Sequence, residues 1–145
     1  MADFYGSTFT AAKSGTLPQQ TPDGALAGSK RRSHTEVFTL AAQASGSRLF
    51  LGTLPVGAIF EGVVLTASAT LGATATVSVG SAASPAKYKA AATFTTPDVP
   101  TLFATAAGRA QARLAAPEDV WMTVAAAALP AAGTLVTDLL YKTQA

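Results

Sequence analysis

The residues able to do chemistry in this 145-residue chain are few and scattered. Glu118-Asp119 is the one close carboxylate pair. Neighbours on a strand point to opposite faces, so the two are badly placed for paired acid–base work, and after Pro117 they suit the opening of a turn. His34 is the single histidine and there is no cysteine, which removes thiol nucleophiles, disulfides and His- or Cys-rich metal sites. A Ser-His-Asp triad would have to use His34, yet no serine sits in a Gly-x-Ser-x-Gly elbow. Phosphate-loop and dinucleotide fingerprints are also missing. The expected chemistry is therefore non-catalytic, with no cofactor and no metal.

What remains are groups suited to contact. Lys30-Arg31-Arg32 forms a short basic run, and the guanidinium forks of Arg31 and Arg32 suit partner carboxylates better than a lysine would. Phe4, Tyr5 and Phe9 give the start of the chain more aromatic density than a solvated tail needs. Buried in a neighbour, each could contribute roughly 1.5–3 kcal/mol; folding back on the home domain is the other option. Glu61 lies in an apolar run with Ile59, Val63 and Leu65. If their shared face is interior, Glu61 needs a partner, for which Arg48 is a candidate; if exterior, the face marks an interface.

The elements that must position these groups are strands. The stretch from Thr53 to Gly80 organises the chain. Pro55 and Gly57 predict a turn with Pro55 second and Gly57 fourth, leading into an apolar strand from Ala58 to Leu65. Leu71-Gly72 punctuates it. Residues 73–79 then alternate apolar and hydroxyl side chains with period two, which predicts a return leg and a central hairpin.

Around that centre, residues 1–33 read as an extended arm, with Pro18, Pro22 and glycines in polar surroundings and no sustained period. Residues 34–145 read as one domain. Its predicted strands are Glu36–Ala42, Arg48–Leu54, the two of the hairpin, Lys87–Phe94, a short one at Ala110–Ala115, Glu118–Ala126 and Thr134–Lys142. Residues 101–107 are ambiguous between strand, helical turn and loop. About eight strands at roughly 8–12-residue spacing, with no convincing helix, predict an all-β sandwich, and a jelly roll ahead of an immunoglobulin-like one because Trp121 has no cysteine pair to pack on.

Composition narrows the partners. Charged residues make up 12%, low for a free monomer, so part of the surface is expected to be covered by protein. The net charge of +2 lies entirely within the first 33 residues, leaving the domain neutral and without the basic stripe of a nucleic-acid binder. No stretch approaches the ~20 apolar residues of a membrane span and the start lacks a signal-peptide pattern, so the expected product is soluble and made in the cytoplasm.

The opening Met-Ala-x-Phe-Tyr-Gly, the polar arm, the Leu54-Pro55-Val56-Gly57-Ala58 turn and the run from Leu71 to Gly80 together resemble the small decoration or cement proteins of tailed-bacteriophage heads. The resemblance implies a jelly-roll protein on the outer capsid surface of the virion, tying neighbouring major-capsid subunits together. On that reading Phe4, Tyr5 and Phe9 anchor the arm, Arg31 and Arg32 meet capsid carboxylates, and Phe60 or Trp121 lines a self-contact. Self-association as a homodimer is expected ahead of a trimer, since two-fold closure is commonest. A tail or baseplate component and a glycan-binding module are the alternatives; the absence of Asn and the lone Trp121 weigh against the glycan reading.

Overall fold

The computed structural model describes residues 2–5 and 30–143. Among these residues the strands are β1 (Asp3–Tyr5), β2 (Lys30–Thr39), β3 (Arg48–Leu54), β4 (Ile59–Ala67), β5 (Thr76–Gly80), β6 (Lys89–Ala92), β7 (Thr101–Phe103), β8 (Glu118–Ala125) and β9 (Thr134–Thr143), and a four-residue helix, α1 (Ala106–Arg109), lies between β7 and β8. They form two sheets, ordered β1-β3-β8-β5-β6 and β2-β9-β4-β7. Apart from β1, which lies parallel to β3, every pairing is antiparallel. The eight strands β2 to β9 thus follow the order of a jelly roll, with each successive strand passing to the other sheet except β6, which pairs with β5.

Period-two alternation builds the core. Leu49 and Leu51 of β3 and Val120, Met122 and Val124 of β8 face inward from one sheet, and Leu135 and Leu139 of β9 face them from the other. The same alternation sends Trp121 to the other face of its sheet.

Several expectations change. The predicted hairpin is not one: β4 pairs with β9 and β7, whereas β5 pairs with β8 and β6 in the opposite sheet. Alternation marks the strands but carries no information on their partners, and here the link between them crosses the sandwich. The turn before β4 is shifted by one residue, because Ala58 N donates to Pro55 O at 3.1 Å. Gly57 therefore takes the third position with φ +78°, the place that favours glycine in a type II turn. β2 starts at Lys30 and stops at Thr39, so the basic run belongs to a strand. Residues 110–115 hold no strand. Only Leu114 there packs on the core, and its backbone makes one pair of bonds, to Gly57 and Ala58. The ambiguous stretch after Pro100 divides into β7 and α1, whose cap Thr105 accepts from Gly108 N at 3.0 Å.

Candidate partner-binding surface

The outer face of the four-stranded sheet brings Arg31 and Glu61 together with aliphatic residues of four strands. Register aligns them in rows across the strands: Arg31, Lys142 and Ile59; Thr35, Asp138, Val64 and Leu102; Val37, Val136 and Thr66. Val37 is 44% and Leu102 50% exposed, large values for apolar side chains on a regular sheet. Thr35 donates its hydroxyl to Asp138 beside them. The face is a partly exposed aliphatic strip with a polar margin.

One end of the strip is held by ions. Arg31 Nε donates to Glu61 Oε2 at 2.7 Å and Nη2 to Oε1 at 3.2 Å, while Lys142 Nζ lies 3.2 Å from Oε1. Alternation from Ile59 puts Glu61 on this side, and a bulge between Phe60 and Gly62 follows. It breaks the alternation, so Val63 and Leu65 face inward and Glu61 does not share their face. Glu61 is only 6% exposed, and its partner is Arg31, not Arg48. Burial pushes the Glu61 carboxyl up, but hydrogen bonds and charge from Arg31 and Lys142 outweigh that and hold it below its ordinary value. Arg31 itself stays 67% exposed.

The other sequence-predicted contacts are dispersed. Arg32, one residue on, points to the opposite side of β2 next to its register partner Tyr141, whose phenol burial raises and Arg32 pulls back down. The two arginines cannot act as one fork pair. His34 shares that inner side, stacked on Tyr141 with ring centroids 6.0 Å apart, and burial lowers its pKa. The backbone of Phe4 and Tyr5 pairs with Leu49 and Phe50 of β3 in the home domain; Phe9 lies outside the described residues.

Neither proposed self-contact ring is presented. Phe60 is 2% exposed in the core and stacks on Tyr88 at 4.1 Å. Its inward position comes from the same alternation that buries Val63 and Leu65, reset by the bulge. Trp121, 6% exposed, meets Phe50 edge-on at 5.0 Å, with the Arg48 guanidinium 4.6 Å from its ring centre.

The carboxylate pair is split as adjacency on a strand requires. Glu118 accepts from Lys87 Nζ at 2.7 Å and from the Tyr88 hydroxyl, whereas Asp119 accepts from Thr53 Oγ1 at 2.6 Å. Burial first, then Glu118, drives the Tyr88 phenol well above its ordinary value. Among the described residues no three His, Asp or Glu side chains converge to hold a metal. No helix among them is long and apolar enough to cross a membrane.

The strand order defines the class: a jelly-roll β-sandwich whose four-stranded sheet has a mixed aliphatic and ion-paired outer face. No protein-family model matches the chain, and no curated protein does. It is similar in fold to a chain of the capsid of Ralstonia phage GP4, with TM-score 0.66 and 24% identity over 88% of this chain and 92% of that one. It is also similar to a chain of the Cyanophage Pam1 capsid asymmetric unit, with TM-score 0.56 and 24% identity over 89% of this chain and 95% of that one. At this identity the likeness establishes the shared fold.

Proposed function

We propose that this chain is a structural protein of a tailed-phage virion that binds the outer capsid surface and ties neighbouring major-capsid subunits together. The observation that carries the reading is the jelly roll shared over nearly the full length of both chains with components of two phage capsids. The outer face of the four-stranded sheet supplies the contact. Val37 and Leu102 are the aliphatic centre, and Arg31, oriented by Glu61, offers its exposed side to a capsid carboxylate. The chain before β2 acts as a tether whose Phe9 reaches a neighbouring subunit. Copies associate in pairs, so that many small contacts are summed around the shell.

The test is co-sedimentation with expanded heads that lack the protein. We expect saturable binding of the full chain, and loss of binding in the Val37→Asp/Leu102→Asp variant with its Tm preserved, since both positions are already half exposed. A chain lacking residues 1–29, which leaves β2 intact, should bind more weakly. Absence of saturable binding by the full chain overturns the reading and points to tail assembly or glycan binding.

A further inference from the structure

The eight strands β2 to β9 complete the jelly roll by themselves, and β1 is an addition to it. Among the described residues it pairs with β3 alone, over the three-residue register Asp3 with Arg48, Phe4 with Leu49 and Tyr5 with Phe50, extended by a bond from Arg48 N to Ala2 O at 3.0 Å. What it covers matters more than its length. Among the described residues nothing but β1 covers that side of the seven-residue strand β3, which without it is an edge rich in leucine, the kind that recruits a strand from another chain.

The connection is longer than the home pairing needs. Because β1 runs parallel to β3, the chain leaves Tyr5 heading toward Leu54. That is the end where β2 begins: a Cβ added at Gly52 would come within 3.4 Å of His34, four residues into β2. Some six residues of strand rise and one intersheet gap, about 30 Å in all, separate the two points. The 24 residues between Tyr5 and Lys30 could span roughly 80 Å when extended. Every copy carries the same β1 and the same β3 edge, so exchange between copies forms the same contacts that it breaks.

We propose that β1 is an exchangeable strand which pairs with β3 of a second copy of this chain when copies are crowded. The inference goes beyond the capsid reading and rests only on the β1–β3 pairing, so either can fail without the other. A link of this length gives home pairing an effective concentration on the order of 1 mM. Exchange is therefore minor in dilute solution and substantial where copies are held side by side.

The chain has no cysteine, which permits a clean cross-linking test. Two full-length variants, Asp3→Cys and Arg48→Cys, are mixed at about 1 mM, equilibrated and oxidised; adjacent strands sit within disulfide reach. We expect a covalent heterodimer about tenfold above that from Asp3→Cys mixed with Val56→Cys, an exposed position outside the register. The Asp3→Cys/Arg48→Cys double variant, oxidised when dilute, should close within one chain and verify the register. A heterodimer yield no higher than the Val56 control overturns the proposal, as does failure of the double variant to close.

Discussion

Arg31 and Glu61 are joined by two hydrogen bonds although their strands never pair, since β9 lies between β2 and β4 and contributes Lys142 to the same carboxylate. One nearly buried acid thus ties three strands at the end of the sheet.

Replacing Glu61 with Gln would leave Arg31 and Lys142 side by side without the charge that holds them. A thermal melt at neutral pH should show a Tm loss of a few degrees. Because the folded carboxyl titrates below its ordinary value of 4.5, its contribution is complete above that value and is lost as pH falls through the folded one. The variant should therefore lose part of the acid sensitivity of the parent.

His34 gives a second pH effect in a higher window. Its folded pKa is depressed by burial below the ordinary 6.5, with Arg32 and Tyr141 on the same side of the sheet. The unfolded chain then binds the proton more readily, so stability falls as pH drops below 6.5, by at most about 1.4 kcal/mol per pH unit. Urea titrations between pH 7 and pH 5 should show this slope, and His34→Gln should flatten it.

Gly108 meets the backbone of Tyr88 so closely that a Cβ there would stand 2.2 Å from the Tyr88 carbonyl oxygen. The Thr105 hydroxyl donates to that same oxygen at 3.1 Å, which prevents α1 from simply moving away. Gly108→Ala should cost about 1–3 kcal/mol in urea unfolding, typical of forced overpacking. A neutral outcome would show that α1 can detach from Tyr88 freely.

Phe60→Ala separates a core role from a self-contact role. With the ring buried against Tyr88, removal should cost about 3–5 kcal/mol, independent of protein concentration. A loss that grows on dilution would return Phe60 to an interface between copies.

Local pattern alone determined the β-sandwich class, the bounds of β3 and the basic run near residue 30. Each depends on side-chain period or on turn chemistry acting within a few residues. Tertiary structure decided which strands share a sheet. β4 and β5 read as a hairpin because both are good strands separated by a turn signal, but pairing is a long-range choice that alternation does not encode. It also decided the contact surface. A single bulge at Glu61 turned Val63 to the opposite face and left Glu61 beside Arg31, thirty positions away in sequence, while Arg32 went to the other side of its strand. The glycine after Glu61 was the one visible signal of that bulge, and only the register with β9 gives it meaning.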